Sequence, residues 1–358
     1  MALAPLAELA QSYFDLRWHL DPVVAPRFGR FAGAALRPHL AAVRALTGAL
    51  EELEPSTLDD EIDRTALLND ARVLLYRCER EAVFSRDPTQ WVKRIVDGLA
   101  VLRGADVVAG RLKDVPEFLD DARAALVEPV GLFAETALEL LPEAATAVQG
   151  AEAPVELKRH ALDALAAFKV DLDRWWQAGP GRFAAGEDAF NFHLHYEHAL
   201  RDTAPELWRY GNRLIEELKA GGVVLPELSV APDLSLVRRM ILSSLTLDGW
   251  ALLRDENPDR LKRHAVGVLL DVGIHTRGLS VEGGVELLRS HLNMEHAPAE
   301  ALVRRTAAAP TYALTAAVGR RELLALREDY QRSDFHAAVR PYGALPVSLI
   351  RWGLGLGE

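Results

Sequence analysis

Helical periodicity runs through almost the whole chain and limits what it can fold into. The clearest case follows Ser56 and Thr57, whose hydroxyl groups suit a helix cap, with Asp59 and Asp60 at the positive end of the helix dipole. Beyond them, apolar residues recur on one helical face, namely Leu67, Ala71, Leu74, Leu75 and Cys78. The pattern predicts an all-α, large multi-helix, bundle-like fold.

Proline, serine and glycine mark the ends of the other helices. Proline suits the first helical turn, because its missing N–H group would have no intrahelical partner there. We therefore predict helices at 89–103, 117–127, 130–148, 154–176, 187–219, 281–292 and 299–308. One β-like run, 223–230, contains Pro226 and is expected to form at most a short edge strand.

The glycine- and proline-bounded stretch 221–232 is the best candidate for a seam between two parts of the chain. It divides an amino-terminal helical part, 1–220, from a carboxy-terminal helical part, 221–358. No low-complexity linker separates them, so we expect one continuous compact unit.

Charge and cysteine usage exclude several classes of function. Lys and Arg number 41 and Asp and Glu 52, a net charge of −11 without a basic block, which argues against nucleic-acid binding. Cys78 is the only cysteine, so an intrachain disulfide and a cysteine zinc site are ruled out. We find no signal peptide and no membrane-spanning window, and we expect a cytoplasmic protein. A homo-oligomer is compatible with the sequence.

Motifs of known chemistry are few. The sequence contains no G-x-S-x-G string, no phosphate-binding loop and no H-E-x-x-H zinc motif. In FHLHYEH, 192–198, His195 and His198 are three residues apart and share a helix face. They either bind a metal or are partly exposed histidines in hydrogen bonds, and the second is the expectation, so no metal ligand and no cofactor is assigned.

The segment 247–280, LDGWALLRDENPDRLKRHAVGVLLDVGIHTRGLS, concentrates the candidate chemistry. It begins with the turn that contains Asp248 and Trp250 and ends at His275. Asp271 and His275 are four residues apart, so on a helix the carboxylate can orient the imidazole.

Further polar residues follow this segment, and each also has a structural explanation. Arg304-Arg305, Tyr312 and His336 are candidates for a cleft. Gly319 equally suits close helix packing, and His336 equally suits a hydrogen-bonded position near a helix end.

These motifs resemble the bacterial domain-of-unknown-function 885 family. In the carboxy-terminal half the resemblance rests on DGWALL, LLDVGIHTRGLSVEGGVELL, ALVRRTAAAPTYALTAAVGRRELLALRE and SDFHAAVRPYGALPVSLI. In the amino-terminal half it rests on SYFDLRWHLDPVVAPRFG, LDDEIDRTALLNDARVLL, SRDPTQWV and GRLKDVPEFLDDARAAL.

The resemblance implies a helical zinc metallopeptidase, but the departures fall on its chemistry. The family pattern has an H-E-x-x-G-H motif in a middle segment, which this shortened chain lacks between Glu227 and Asp248. Asp248 stands where the E-G-W-A glutamate resembles the third metal ligand, Arg304-Arg305 replaces an Arg-Tyr pair, and Ala316 replaces a later tyrosine. One carboxylate without two imidazoles cannot hold a catalytic zinc.

Three hypotheses follow. The favoured one is a degenerate relative without zinc peptidase activity that binds a small molecule, a peptide or a protein. The substrate-binding candidates are Asp248, Trp250, Arg277, Arg305, Tyr312 and His336. The second is a metal-free enzyme in which Asp271 orients His275 as acid or base and Arg277 or Arg305 holds an anion. The third is a residual metallohydrolase whose new ligands come from His193, His195, His198, Asp248 and His275.

Overall fold

Helices account for most of the described structure. The computed structural model describes residues 5–20, 27–100, 104–217, 225–228, 233–255, 257–331 and 334–357. In chain order the first nine α-helices are α1 (Pro5–His19), α2 (Gly33–Glu52), α3 (Leu58–Glu79), α4 (Val83–Arg86), α5 (Thr89–Ala100), α6 (Ala105–Ala125), α7 (Gly131–Gly150), α8 (Val155–Gln177) and α9 (Glu187–Phe192). A π-helical turn, His193–Glu197, follows α9 directly.

The second half of the chain continues in the same way. Its helices are α10 (Ala204–Glu216), α11 (Leu236–Met240), α12 (Ser244–Leu253), α13 (Pro258–Thr276), α14 (Val281–Leu292), α15 (His296–Ala308), α16 (Thr315–Tyr330), α17 (Phe335–Val339), the 3₁₀ helix Arg340–Tyr342 and α18 (Val347–Gly353). None of the described residues lies in a β-strand, and the all-α prediction is confirmed.

The predicted caps act as expected. Thr57 Oγ1 accepts a hydrogen bond from the Asp60 backbone N–H at 3.1 Å at the start of α3. Ser280 Oγ accepts from Gly283 N at 3.1 Å at the start of α14. Each cap satisfies one of the N–H groups that a helix start leaves without a backbone partner.

Two helix predictions need correction. The helix predicted at 117–127 begins earlier, because Pro116 lies inside α6, where the buried residues Leu112, Val115 and Phe118 continue one face across it. The single helix predicted at 187–219 is instead α9, the π turn and α10. A capping box of Thr203 and Glu206 starts α10 anew and so separates it from the π turn.

The predicted edge strand falls partly on described residues. Residues 225–228 have no regular secondary structure, and 223–224 and 229–230 lie outside the described residues. Across the described helices, none is both long and apolar enough to cross a membrane.

Backbone contacts divide the chain into two compact units that alternate along the sequence. Unit 1 comprises Met1–Ala10, Ala49–Val73 and Ala184–Glu358, and unit 2 comprises Gln11–Gly48 and Leu74–Phe183. The two-part division at residue 220 stays a prediction.

Aromatic packing centres unit 2. The rings of Phe31 and Phe84 stack at 4.6 Å between centroids, and Trp91 donates its indole N–H to the Phe84 carbonyl at 3.1 Å. Cys78 packs at the edge of this core, where burial raises the pKa of its thiol to about 11. The thiol is therefore protonated at neutral pH and a poor nucleophile.

The helix α13 is central to unit 1. It packs against α9, α10, α14, α15 and α16, and most of its residues from Leu261 to His275 are buried. The most extensive helix–helix contact in unit 1 is between α12 and α16, where Gly249 faces Gly319. The prediction that Gly319 permits close helix packing is confirmed.

Candidate functional site

The helix α12 positions Asp248 beside the start of α16. Ser243 caps α12, its Oγ accepting from Thr246 N at 3.4 Å, and Asp248 follows in the next turn. Asp248 is half-buried, and its Oδ2 accepts a hydrogen bond from Thr315 Oγ1 at 2.7 Å. This carboxylate is therefore fixed in place while still bordering open space.

One face of α13 forms the opposite wall. Asn257 Oδ1 caps the helix by accepting from Asp259 N at 2.9 Å, and Pro258 occupies its first turn. Arg260, His264 and Gly267 then recur at helical spacing along one face. A Cβ atom at Gly267 would lie 2.8 Å from the Ala313 carbonyl oxygen, so glycine allows the 309–314 turn to approach this helix closely.

Between these walls lies a cavity of about 540 Å³, which we call the α13 cleft. It is lined by Asp248, Ala251, Leu252, Asp255, Arg260, Arg263, His264, Gly267, Leu302, Arg305, Thr306, Tyr312, Ala313, Thr315 and Ala316.

The two carboxylates of the α13 cleft are already engaged, whereas two of its guanidinium groups are not. Asp255 Oδ2 forms an ion pair with Arg260 Nη1 at 2.7 Å, and Asp248 is held by Thr315. Within the described part of the chain, no carboxylate lies within ion-pair distance of Arg263 or Arg305. Both side chains are exposed at the cleft and are available to an anion.

His264 is the one imidazole of the described cleft lining. Burial lowers its pKa below the ordinary value of 6.5. The positive charges of Arg263 and Arg260 lower this pKa further, whereas the negative charges of Asp248 and Asp255 raise it. The ring is therefore largely neutral at pH 7. No hydrogen-bond partner for it occurs among the described residues, so it can donate to or accept from a ligand.

Asp271 and His275 lie on one face of α13, as predicted, but both are completely buried behind the α13 cleft. Asp271 accepts hydrogen bonds from Thr311 N at 3.0 Å and Leu314 N at 3.2 Å, and burial raises its pKa to about 7. His275 Nδ1 accepts from Ala185 N at 3.2 Å, and its Nε2 lies 3.0 Å from the Thr306 carbonyl oxygen, which fits a neutral Nε2–H tautomer.

Asp271 and His275 therefore hold backbone groups in place through hydrogen bonds. Asp271 Oδ1 lies 3.8 Å from His275 Nε2, beyond hydrogen-bond distance. The aspartate instead holds the turn that carries Tyr312 into the α13 cleft. Thr311 adopts a positive φ of 67° in this turn, a conformation that a threonine rarely takes without such support.

Of the eight predicted site residues, the structure places Asp248, Arg305 and Tyr312 together in the α13 cleft. The other predicted binding residues lie elsewhere. Trp250 is buried against Phe335, with its indole N–H donating to the Pro226 carbonyl at 3.0 Å. His336 contacts Trp250 at 5.9 Å between ring centroids, and the Arg277 guanidinium lies over the Trp208 ring at 4.5 Å from its centroid.

The histidine-rich segment does not form a common metal site with these residues. His193 Nδ1 lies 2.7 Å from Glu197 Oε2, and His198 Nε2 lies 3.0 Å from Thr311 Oγ1, whereas His195 is exposed. In the described residues, no three His, Cys, Asp or Glu side chains are arranged to hold a metal ion. The residues around Asp248 do not fit a catalytic zinc, because His264 is the one imidazole that accompanies it in the cleft lining.

Sequence reasoning missed His264, Arg260 and Arg263. Their signal was present, since His264 precedes Asp271 by seven residues, or two helical turns, and Arg260 precedes His264 by four. The helix face that carries Asp271 and His275 continues toward the amino terminus of α13, where it includes residues that line the cleft.

The fold and the cleft define an all-α protein with a cavity of charged and apolar residues along one central helix. Residues 259–353, from α13 to α18, match the model of the DUF885 family, described as bacterial protein of unknown function. This match confirms the family resemblance for the carboxy-terminal residues that it covers. Comparison with the curated proteins finds no match.

Two solved structures share the fold over nearly the whole chain. One, described as a putative lipoprotein of unknown function from Shewanella oneidensis, has a TM-score of 0.76 at 15% identity and covers 98% of this chain and 100% of its own. The other, described as a putative lipoprotein from Colwellia psychrerythraea, has a TM-score of 0.72 at 10% identity and covers 98% of both chains. At such identities the likeness concerns the fold alone.

Proposed function

We propose that this protein is a DUF885 relative without zinc peptidase activity that binds a small anionic or peptide-like molecule in the α13 cleft. The proposal rests on the excess of cationic groups and hydrogen-bond donors in the α13 cleft that have no partner among the described residues. Arg263, Arg305, His264 and the Tyr312 hydroxyl have no hydrogen-bond or ion-pair partner among the described residues, and Tyr312 is 61% exposed. A ligand carboxylate would give these groups a partner.

Binding is favoured over catalysis by the Asp271–His275 pair for a geometric reason. Both nitrogens of His275 face backbone groups, and its ring is buried, so no nitrogen remains for a substrate. A metal-free enzyme built on this chain would need His264 as its base instead. A cytoplasmic location stays a prediction, and the lipoprotein description belongs to the two structural neighbours.

Titration calorimetry with glutarate, a dicarboxylate, tests the proposal. We expect Arg305→Gln to weaken glutarate binding by about tenfold, because a charge-assisted hydrogen bond contributes roughly 1.5–3 kcal/mol. Arg289→Gln is the matched control, since Arg289 is an exposed arginine of α14 outside the cleft lining.

Two results contradict the proposal. One is equal binding of glutarate by the Arg305→Gln and Arg289→Gln variants. The other is a zinc-dependent peptidase activity that Asp248→Ala abolishes, since the proposal assigns no metal ligand role to Asp248.

A further inference from the structure

A second cavity of about 600 Å³ lies in unit 1, between α3, the π turn and α18. We call it the π-turn cavity. Thr65, Asn69 and Arg72 line it from one face of α3, at helical spacing of four and three residues. None of the residues that line it also lines the α13 cleft.

An unusual backbone shapes one wall of the π-turn cavity. The π turn replaces regular helix at His193–Glu197 and places His195 and Tyr196 in the lining. Ala199 then adopts a positive φ of 50°, which is unfavourable for a residue other than glycine. Ser348 Oγ stabilises this conformation by donating to the Ala199 carbonyl at 2.9 Å. Such π turns and strained residues concentrate at functional sites.

The acidic groups of the lining are neutralised. Arg321 binds Asp202 through Nη1 at 3.0 Å and Glu322 through Nη2 at 2.8 Å. Thr65 and Asn69, by contrast, have side chains without a hydrogen-bond partner in the described part of the chain. The cavity wall thus offers free donors and acceptors while its carboxylates are occupied.

Arginine side chains at the rim can exchange their present partners for a ligand. Arg72 pairs with Glu51 at 2.7 Å, and Arg351 pairs with Asp329. The two carboxylate side chains are 51% and 53% exposed, and ion pairs this exposed to water are weak. A ligand carboxylate beside these guanidinium groups can therefore compete with such weak pairs.

Two aromatic side chains contribute to the lining of the cavity. Tyr196 and Trp352 both line the cavity and are half-buried, and the Arg72 guanidinium lies 5.5 Å from the Tyr196 ring centroid. Aromatic faces and an adjacent guanidinium together favour a ring that bears a negative group. We propose that the π-turn cavity is a second ligand site, for a small aromatic carboxylate whose acid group is bound by Arg72.

Calorimetric titration of the intact protein with indole-3-acetate tests this proposal. We expect binding that weakens by about tenfold in Arg72→Gln, because a charge-assisted contact is lost. Binding should weaken in Tyr196→Leu as well, since the stacking surface is removed. Arg305→Gln and Arg289→Gln should bind indole-3-acetate as the wild type does, which separates this site from the α13 cleft. Thermal melts of each variant verify that it is folded.

Two further probes distinguish the chemistry. Cyclohexylacetate keeps the carboxylate without an aromatic ring, and tryptamine keeps the indole with the opposite charge, so both should bind more weakly than indole-3-acetate. The proposal is overturned if indole-3-acetate fails to bind at about 1 mM. It is also overturned if Arg72→Gln binds as tightly as the wild type, if Arg305→Gln is the variant that weakens binding, or if tryptamine binds equally well.

Discussion

Asp271 shows how one buried side chain can shape a site that it does not enter. Its carboxylate accepts backbone hydrogen bonds from Thr311 and Leu314, on either side of Tyr312. Thr315 follows in the same stretch and fixes Asp248. The carboxylate that the sequence offers as a catalytic group is therefore placed to order two walls of the α13 cleft.

The pKa of Asp271 gives this role a pH dependence. Because burial raises its pKa from 3.8 to about 7, the folded chain binds more protons than the unfolded chain between these values. The stability that the carboxyl group contributes is therefore fully present below 3.8 and decreases as the pH rises to about 7. In Asp271→Asn this titration is absent.

We accordingly expect the stability advantage of the wild type over Asp271→Asn to shrink by at least about 1 kcal/mol across this pH range, the equivalent of roughly one pKa unit. Urea unfolding of both proteins at a series of pH values measures the difference. Asp259→Asn, at an exposed position of the same helix, serves as the control for removal of an aspartate outside the core. A constant difference for Asp271→Asn contradicts the prediction.

The protonation of His264 should make ligand binding depend on pH as well. Its lowered pKa leaves the ring largely neutral at pH 7, and a bound carboxylate would raise that pKa by favouring the charged form. Glutarate binding should therefore take up protons and become tighter as the pH falls toward 6.5. Titrations in buffers of different ionisation enthalpy measure this uptake, which His264→Gln should reduce. Equal proton uptake in His264→Gln and wild type would show that another group is responsible.

At the scale of elements, the close packing of α12 against α16 depends on two glycines. A Cβ atom at Gly319 would lie 1.9 Å from the Leu245 carbonyl oxygen, and one at Gly249 would lie 2.4 Å from the Gly319 carbonyl carbon. Both obstacles are backbone atoms, which cannot turn away as a flexible side chain would. The helices themselves would have to separate to admit a methyl group.

Gly319→Ala should therefore lower the free energy of unfolding by about 3 kcal/mol or more. Gly48→Ala is the matched control, because Gly48 lies within α2 and a Cβ atom added there would meet nothing within 4 Å. Alanine there should raise stability by about 0.5–1 kcal/mol, since it favours helix over glycine. Urea unfolding of both variants gives the comparison, and equal effects would contradict the proposed close contact.

The elements that the sequence predicted well are those whose signals are local. Caps such as Thr57 and Ser280 act within a single turn, and the helices that follow them were found as expected. The segment 187–219 was predicted wrongly, because its break depends on a π turn and on the Thr203 capping box between two helical patterns. The capping box is readable from sequence, whereas the π turn has no such local signal, and its Tyr196 ring contacts the distant Arg72 guanidinium.

At the scale of the whole molecule, the units alternate along the chain in a way that composition does not reveal. Unit 1 contains segments that are more than a hundred residues apart, such as Ala49–Val73 and Ala184–Glu358. The α13 cleft could be predicted in part, because Asp248, Arg305 and Tyr312 stand in short motifs that are visible in the sequence. The π-turn cavity could not, since residues of α3 and α18 meet there only in the fold.

This arrangement predicts where a ligand of the α13 cleft acts. All the residues that line the cleft belong to unit 1, so bound glutarate should stabilise that unit against opening. At a glutarate concentration of about ten times its Kd, amide hydrogen exchange in α13 and α15 should slow by about tenfold, because a ligand that binds only the folded form adds RT ln(1 + [L]/Kd) to its stability.

Exchange in α7 and α8, which lie in unit 2, should change far less. Mass spectrometry of exchanged peptides measures both, with Arg305→Gln as the control in which the slowing is reduced. Equal slowing in α7 and α8 would contradict a ligand effect confined to unit 1.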